Sequence, residues 1–396
     1  MLVLNHFAAP LGQAGGTRHV ELFSRLRAWD YLIIASDLNP QTSERAAEAP
    51  GFVFVRVPAY SDNGVKRLLN WLVFAWRALP VGLRQPGVDV VYGSSPHLLA
   101  AAAAWAIAAV KRRPFVLEVR DLWPQVLADM GHLSTTSPTF KALTVLEMFL
   151  YSRAKAIVVL AEGSRTNLIA RGIASSKIHF IPNGADPSDF VPSAPRDELR
   201  ARYGFTRFTA IYAGAHGPAN GLDLLLDAAS DVVHLELDIV LVGGGVSKST
   251  LMARAGREGI HNLRFLDPVP KTEIPDLLAA ADIGLHVLAD VELFQSAVSP
   301  NKVFDYMAAG LPVLTNCPGL VTELVVSARS GWGSTPTGLR DGLQVAVATP
   351  ESELDTLGRS GQAWLAENQS RKAMSHRLGD LIGDVGSRCR LDGGPP

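Results

Sequence analysis

YAGAHGPANGLDLLLDAA, residues 212–229, is the stretch that most directly indicates the fold of this 396-residue chain. It reads as the end of an apolar strand, then a glycine-rich loop, then an amphipathic helix. A loop of this kind leaves free backbone N–H groups at the start of the helix, where anions bind readily. The stretch therefore predicts a strand–helix unit with a ligand-binding turn.

Similar short apolar runs alternate with helical patterns along most of the chain. Continuous apolar strands separated by helices are typical of parallel sheets covered on both faces. We therefore predict an α/β protein with two Rossmann-like parallel-sheet domains facing an interdomain cleft, with ligands at the carboxyl ends of the strands. The predicted strands are 2–5, 31–36, 53–57, 88–92, 115–119, 156–160 and 178–181, then 209–213, 237–242, 263–265, 283–287 and 312–315.

The two series are separated by PNGADPSDFVPSAPRDELRARYG, residues 182–204, which is rich in proline, serine and aspartate. Such a composition is typical of a linker. We predict an N-terminal domain over residues 1–187, a linker over 188–204 and a second domain over 205–365. Residues 366–396 are expected to form a helix that crosses back, with a tail after Gly386.

Charge and cysteine content limit the class of the protein. Lys and Arg number 37 against 38 Asp and Glu, so the net charge of -1 gives no basic field for nucleic acid. Cys317 and Cys389 lack a metal-ligand spacing and are expected to be reduced thiols of a cytoplasmic protein. The start, MLVLNHF, is expected to be a strand rather than a signal peptide. The apolar run 98–110 would form about 20 Å of helix, too short to span a bilayer.

SPNKVFDYMAAGLPVL, residues 299–314, contains the strongest candidate for a charged ligand site. Ser299 is predicted to cap a helix that the Gly-x-Pro at the end of the stretch stops. Lys302 and Asp305 are three residues apart, so they lie on one side of the helix near its free N–H groups. They suit a diphosphate and a pair of ribose hydroxyls, but a surface helix with a Lys–Asp pair has the same spacing.

Two other glycine turns are candidate anion sites. Gly15 and Gly16 precede an expected helix in the first strand–helix unit, and LVGGGVSKSTL, residues 241–251, places Lys248 after a second glycine turn. Each can equally be a tight turn or a surface lysine, since neither is a full dinucleotide fingerprint.

Charges also follow an apolar strand in EVRDLWP, residues 118–124. Arg120 and Asp121 come directly after the strand, at the edge where parallel sheets bind ligands. They are candidates for catalysis, although a structural Arg–Asp pair would also fit.

The segment GVKRLLNWLVFAWRALPVGLR, residues 64–84, combines aromatic and aliphatic residues with basic ends and no acid. This pattern suits an interface with anionic lipid. A helix packed inside the domain is the alternative. The candidate contact residues are Lys66, Arg67, Trp71, Phe74 and Trp76.

Taken in order, these segments resemble the GT-B glycosyltransferases of family four, a large group that includes many cell-envelope sugar transferases. The RDLWP and SPNK variants are most similar to the subgroup acting on amino sugars such as N-acetylfucosamine in polysaccharide assembly. The resemblance implies transfer from a nucleotide-diphosphate sugar, expected to be UDP-linked, with retention of configuration and no metal or cofactor. The matching pieces, over about residues 2–330, are GGTRHVELFSRL, RDLWP, PNGAD, YAGAHGPANGLDLLLDAA, LVGGG, NLRFLDPVPKTEIPDLLAAADIGLHVL and SPNKVFDYMAAGLPVL.

The resemblance also implies roles for single residues. Lys302 and the turn at Ser299 would hold the diphosphate, Asp305 the ribose, and the backbone near Val269 the base. Catalysis would fall to Lys302 with Arg120 and Asp121, which stand where the family has a His-Asp pair. The remaining donor-binding candidates are Gly15, Gly16, Gly214, His216, Gly243, Lys248 and Asn301.

The chain departs from the family pattern at two places in the second domain. The first acid of the Glu-x7-Glu motif would fall at Ala297, with Glu292 as an out-of-register substitute. The arginine and lysine of the glycine loop are absent, and His216 is expected to replace them in part.

On the acceptor side, the resemblance places binding in the N-terminal domain. A lipid-linked acceptor such as a polyprenyl-diphosphate sugar would explain the segment 64–84, with His19 as a further contact. The protein is then expected to lie in the cytoplasm, at the inner face of the membrane. A UDP-sugar 2-epimerase and an inactive binding partner of the same fold stay open as alternatives, and a nicotinamide dehydrogenase is disfavoured because neither half has the full fingerprint.

Overall fold

The structure of the protein is a computed structural model that describes residues 1–60, 65–95 and 97–391, with the backbone alone for 388–391. Its contacts divide the chain into two compact units. The first unit contains residues 1–11, 15–182 and 372 onward, and the second contains 12–14 and 183–371. The segment 188–204, expected as a linker, therefore lies within the second unit.

The first unit is built on seven parallel strands. These are β1 (Leu2–Leu4), β2 (Leu32–Ser36), β3 (Phe52–Val55), β4 (Val91–Ser94), β5 (Phe115–Val119), β6 (Ala156–Val159) and β7 (Ile178–Phe180). The helices along this part of the chain are α1 (Arg18–Phe23), α2 (Val65–Arg84), α3 (Leu98–Lys111), α4 (Gln125–Asp129), α5 (Pro138–Arg153) and α6 (Glu162–Ala170).

The second unit is built on six parallel strands. These are β8 (Phe208–Ala213), β9 (Leu237–Val242), β10 (Leu263–Leu266), β11 (Ile283–His286), β12 (Val313–Thr315) and β13 (Gly331–Gly333). The helices are α7 (Arg196–Tyr203), α8 (Leu222–Asp231), α9 (Lys248–Glu258), α10 (Ile274–Ala279), α11 (Asn301–Ala308), α12 (Leu320–Ser327), α13 (Leu339–Ala348) and α14 (Glu351–Asn368), followed by the C-terminal α15 (Arg371–Leu391).

Both sheets have the doubly wound order. The first runs β3-β2-β1-β4-β5-β6-β7 and the second β10-β9-β8-β11-β12-β13. The order reverses between β1 and β4 in one sheet and between β8 and β11 in the other, and ligands bind at such switch points. The predicted α/β class with two Rossmann-like parallel sheets is confirmed.

Two strands differ from the prediction because glycine obscures the apolar pattern. β4 lies at Val91–Ser94 rather than 88–92. Its Gly93 is buried so closely that a Cβ would approach the Ala104 Cβ to 2.7 Å. β13 has the sequence Gly-Trp-Gly and was not predicted. A Cβ at Gly331 would lie 1.9 Å from the Val313 carbonyl oxygen, so glycine allows the two strands to approach.

The C-terminal helix α15 completes the core of the first unit. Its Met374, Leu378 and Ile382 are fully buried and pack in one cluster with Val3 and Leu22. The helix continues to Leu391, past Gly386, where a tail was expected. Residues 392–396 lie outside the described part of the chain.

A buried carboxylate joins several elements of the first unit. The Glu118 carboxylate accepts hydrogen bonds from the Tyr92 hydroxyl at 2.7 Å, the Ser94 hydroxyl at 2.9 Å and Arg18 Nε at 3.1 Å. Burial alone would raise the pKa of Glu118, but the positive charge of Arg18 leads the groups that hold it well below its usual range. Because a buried charge that loses its partner is strongly destabilising, this network fixes α1 against β4 and β5.

Tyr306 fixes α11 against the sheet of the second unit. Its hydroxyl accepts from the Ala213 N–H at 3.0 Å and donates to the Leu285 carbonyl at 3.1 Å. Its ring lies against Gly284, where a Cβ would come within 2.4 Å of the ring. The absence of a side chain at Gly284 therefore lets α11 lie directly on β11.

We expect Gly284→Ala to lower the free energy of unfolding by about 1–3 kcal/mol, because the new methyl group must displace the Tyr306 ring. Denaturant unfolding followed by circular dichroism measures this. Gly256→Ala in α9 is the matched control, since a Cβ there meets nothing within 4 Å. Equal effects of the two substitutions would contradict the packing described for Tyr306.

Candidate functional site

Lys302 lies at the switch point of the second sheet, in the first turn of α11. Its ammonium group donates to Asn220 Oδ1 at 3.1 Å and lies 4.9 Å from the centre of the Tyr212 ring. Its side chain crosses Gly214, where a Cβ would come within 2.1 Å of Lys302 Cε. The glycine loop after β8 and the start of α11, two candidate segments of the sequence, are thus brought together.

The electrostatic setting of Lys302 suits an anion. Burial lowers the pKa of its ammonium group to about 8, and the carboxylate of Asp305 only partly opposes this. The group therefore keeps most of its charge at pH 7. Within the described residues, no carboxylate forms an ion pair with it, so an incoming phosphate would find an enclosed cation to bind.

Asp305 already has a cationic neighbour. Lys271 Nζ lies 2.5 Å from Asp305 Oδ2 and 5.0 Å from the centre of the Phe190 ring. Lys271 was not among the predicted site residues, since it is far from Asp305 in sequence. It comes directly after the loop at Val269 that was expected near the base.

His216 is fully buried beneath the glycine loops. Its backbone N–H donates to the Gly244 carbonyl at 2.7 Å, but neither ring nitrogen has a hydrogen-bond partner within the described structure. Burial, with the charges of Lys248 and Lys302, lowers the pKa of the imidazole to about 4. The ring is therefore neutral at pH 7, next to two ammonium groups.

The two glycine loops of the second unit touch through their backbones. A Cβ at Gly243 would lie 1.9 Å from the Gly214 carbonyl oxygen and 3.4 Å from His216 Nε2. Lys248, beyond the second loop, donates to the Leu266 carbonyl at 2.9 Å and to Asp267 at 2.8 Å. Gly214, His216, Gly243 and Lys248 thus form one cluster, and their role in donor binding stays a prediction.

The predicted cap at Ser299 is corrected. Helix α11 begins at Asn301, and its N-terminal neighbour Pro300 provides no side-chain cap. The Ser299 hydroxyl instead accepts from the Asn183 N–H at 3.1 Å, and its carbonyl accepts from the Asn183 side-chain amide at 2.9 Å. Asn301 Oδ1 is buried and has no hydrogen-bond partner in the described structure, which leaves a free acceptor at the start of the helix.

Where the family motif would place an acid, Ala297 is half-buried and its N–H donates to the Leu293 carbonyl at 2.9 Å. Glu292 is exposed in a short turn. Nearby, Cys317 is a buried free thiol whose pKa is raised to about 12 by burial, so it is not a nucleophile. Nothing is described of the side chain of Cys389.

In the first unit, Gly16 and Arg120 come close together. A Cβ at Gly16 would lie 2.9 Å from the Phe7 carbonyl oxygen and 4.0 Å from an Arg120 side-chain nitrogen. No ion pair joins Arg120 to Asp121 in the described structure, so the structural pairing considered as an alternative does not form. Desolvation by the surrounding protein raises the pKa of the Asp121 carboxyl, which the charge of Arg120 partly offsets, while the residue keeps an exposed surface.

Two residues assigned to the acceptor side are interior. His19 is fully buried, its Nδ1 bonds to the Asn5 amide at 2.8 Å, and its Nε2 lies 3.0 Å from Glu118. Phe74 is also fully buried, on the inner face of α2. The prediction that these two contact an acceptor is corrected, since both are part of the core.

The outer face of α2 is exposed and apolar. The exposed side chains recur at helical spacing opposite the buried face, and the largest of them, Trp76, is 76% exposed. Lys66, Arg77 and Arg84 lie along one flank, being eleven and seven residues apart. The exposed apolar stripe, called the α2 stripe below, consists of Val65, Leu68, Leu69, Leu72 and Trp76.

α2 thus packs inward with one face, as the alternative of a packed helix required, and leaves another face uncovered, for which the lipid interface stays a prediction. Gly64, at the start of the predicted segment, lies outside the described residues. No helix in the described parts of the chain combines the length and apolarity needed to cross a membrane.

A pair of histidines missed by the sequence analysis orients α2. His97 Nδ1 accepts from the Ala100 N–H at 3.3 Å, so its proton is on Nε2, which lies 2.9 Å from His6 Nδ1. Trp71 stacks on His97 with ring centres 4.9 Å apart, and the Arg67 guanidinium lies 5.1 Å from the Trp71 ring. Burial lowers the pKa of His6 to about 3, so the histidine pair is neutral at pH 7.

No group of three or more His, Cys, Asp or Glu side chains able to hold a metal ion occurs in residues 1–60, 65–95 or 97–391. The polar groups at the second sheet's switch point are instead ammonium, imidazole and amide groups. Their chemistry is that of an anion site with one acid beside it.

Two family descriptions match the chain. The glycosyl transferase 4-like domain matches residues 13–184, and the glycosyl transferases group 1 description matches residues 207–348. Among curated relatives, a protein named as colanic acid biosynthesis glycosyl transferase WcaI of Escherichia coli (strain K12) is 23% identical over 64% of this chain and 65% of that relative. The matches with curated relatives span 50% to 65% of their lengths, which is less than two thirds.

Solved structures extend the likeness in fold to nearly the whole chain. Sucrose-phosphate synthase from Thermosynechococcus elongatus has a TM-score of 0.75 at 15% identity, covering 98% of this chain and 99% of that one. HepE of Anabaena, solved with UDP and glucose, has a TM-score of 0.73 at 18% identity, covering 96% and 98%. The chain therefore has the GT-B fold, with a glycosyl transferase 4-like domain over residues 13–184 and a group 1 glycosyl transferase domain over residues 207–348.

Proposed function

We propose that the protein transfers a sugar from a nucleotide-diphosphate donor to an acceptor. The main support for this proposal is the environment of Lys302. Its ammonium group is an enclosed cation at the switch point of the second sheet and has no carboxylate ion pair in the described structure. Asp305, one turn along α11, is an acid suited to paired ribose hydroxyls. The likeness in fold to HepE, which was solved with UDP and glucose, supports a UDP-linked donor.

The finer features of the donor rest on the sequence. The RDLWP and SPNK variants favour an N-acetylamino sugar. Ser299, Asn301 and the backbone at Val269 complete the proposed contacts within the second unit. The buried free acceptor on Asn301 is available to a hydroxyl or amide hydrogen of the donor.

The proposed reaction proceeds with retention of anomeric configuration. The bond from the anomeric carbon to the diphosphate breaks, and a bond to the acceptor oxygen forms on the same face. The acceptor hydroxyl gives its proton to the leaving phosphate oxygen. Lys302 stabilises the charge that grows on the diphosphate, which is the kind of interaction that contributes most to such catalysis. Arg120 and Asp121 orient the acceptor.

We expect Lys302→Met to reduce turnover on the order of 10²–10³-fold, because it removes a charge aimed at the leaving group. It should also abolish the rise in thermal midpoint that a bound UDP-sugar produces in the unmodified protein. Arg254→Met, which removes a cation from a surface ion-pair cluster of the same unit, is the control. Full turnover in the Lys302 variant would reject Lys302 as the leaving-group contact.

Asp121→Asn should lower turnover on the order of 10²-fold, because the carboxylate that orients the acceptor is lost. Donor-dependent thermal shifts should persist, because the substitution leaves the second unit intact. Steady-state kinetics with saturating donor measure the turnover of the variant relative to that of the unmodified protein. Unchanged turnover would remove Asp121 from the mechanism.

The acceptor is proposed to be lipid-linked, for example a polyprenyl-diphosphate sugar, with the protein at the cytoplasmic face of the membrane. The α2 stripe supports this, because it exposes a large apolar surface beside the aligned cations Lys66, Arg77 and Arg84. An amphipathic helix with basic residues beside its apolar face binds anionic lipid, each cation contributing about 1 kcal/mol near the surface.

Flotation with vesicles containing anionic phospholipid tests this proposal. The unmodified protein should float with the vesicles, and Trp76→Ser should lose most of that binding. Val145→Ser is the matched control, since Val145 is 70% exposed on α5 of the same unit and should be dispensable. Absence of binding by the unmodified protein would reject the peripheral-membrane proposal and leave the transferase proposal standing.

A further inference from the structure

His216 is a buried polar side chain without a partner. A neutral imidazole carries one N–H donor and one acceptor nitrogen, and buried groups of this kind nearly always have partners. In the described structure both ring nitrogens of His216 are buried and unsatisfied. The ring is held in place by the backbone bonds of its own residue, from His216 N to the Gly244 carbonyl and from Ser247 N to the His216 carbonyl. Its placement is therefore fixed while its hydrogen-bonding capacity is unused.

Side chains from four elements surround His216, and the charges that act on its ring are cationic. Lys248 of α9 and Lys302 of α11 both act against protonation of the ring. The carboxylate of Asp267 partly balances the positive charge of Lys248, and the carboxylate of Asp305 partly balances that of Lys302. Tyr212 of β8 lies 6.0 Å away between ring centres, and burial raises the pKa of its phenol far above neutrality. From β10, the ring of Phe265 contributes no charge.

A diphosphate would reverse this balance. Its oxygens accept hydrogen bonds but do not donate, so they can satisfy both ring nitrogens only if both carry protons. Its two negative charges would also offset the repulsion from the two lysines. We propose that His216 binds the donor diphosphate as an imidazolium ion and takes up its second proton from solvent when the donor binds. This inference rests on the proposed function, since it needs a nucleotide-diphosphate ligand in the site.

The proton uptake has a defined pH window. Unliganded His216 has a pKa of about 4, so it is neutral above that value, and the bound diphosphate raises the pKa. At pH values between the pKa of His216 in the free protein and its pKa in the complex, binding takes up a proton. In that range the affinity for the donor falls as pH rises, by up to tenfold per pH unit. Lys302, with a pKa of about 8, is already protonated at pH 6 and contributes uptake only at higher pH. Uptake near pH 6 therefore reports on His216.

Titration calorimetry with UDP-glucose near pH 6, in two buffers of different ionisation enthalpy, measures the protons taken up. UDP-glucose suits the test because each of its two phosphates has only one, strongly acidic, ionisable group and stays ionised at this pH. The unmodified protein should take up about one proton and bind more weakly as pH rises. His216→Gln, which keeps a polar side chain of similar length, should bind more weakly at pH 6 with uptake near zero.

A second readout does not depend on that variant folding. Nitrogen chemical shifts of labelled histidine in the unmodified protein should show both His216 ring nitrogens protonated in the complex. Binding without proton uptake, or uptake that persists in His216→Gln, would overturn this inference and leave the proposed function intact. Failure of any UDP-sugar to bind would overturn both together.

Discussion

The donor site depends on how closely α11 approaches the sheet beneath it. Tyr306 sets that distance, because its ring lies on Gly284 and its hydroxyl is fixed between the Ala213 N–H and the Leu285 carbonyl. These are the carboxyl ends of β8 and β11, where the strand order reverses. Any residue larger than glycine at 284 would move the helix and carry Lys302 and Asp305 away from the loops they face.

Glycine makes the same kind of contribution in the loops themselves. Gly214 lets the Lys302 side chain lie across the backbone, and Gly243 lets the second loop touch the first. The result is a small region with backbone N–H groups, an enclosed ammonium group and a neutral imidazole, held in place before any ligand arrives. Such preorganised donors are effective in catalysis because little reorganisation is needed when charge develops.

The sequence pattern predicted those features that depend on residues close together along the chain. Apolar runs located most strands, and the spacing of Lys302 and Asp305 placed both correctly on one helix. The pairings of Lys271 with Asp305, Arg18 with Glu118 and His6 with His97 join residues 34 to 100 positions apart, so no periodicity reveals them. The prediction that Phe74 lies on the outer face of α2 was wrong, since its burial is decided by what packs against the helix.

We propose that the switch point of the second sheet binds a nucleoside diphosphate through Lys302 and Asp305. A crystal structure of the protein with UDP is the sharpest test. We expect diphosphate oxygens within hydrogen-bond distance of Lys302 Nζ and the ribose hydroxyls on the Asp305 carboxylate. UDP bound elsewhere, or with neither side chain in contact with it, would show that these residues do not form the donor site.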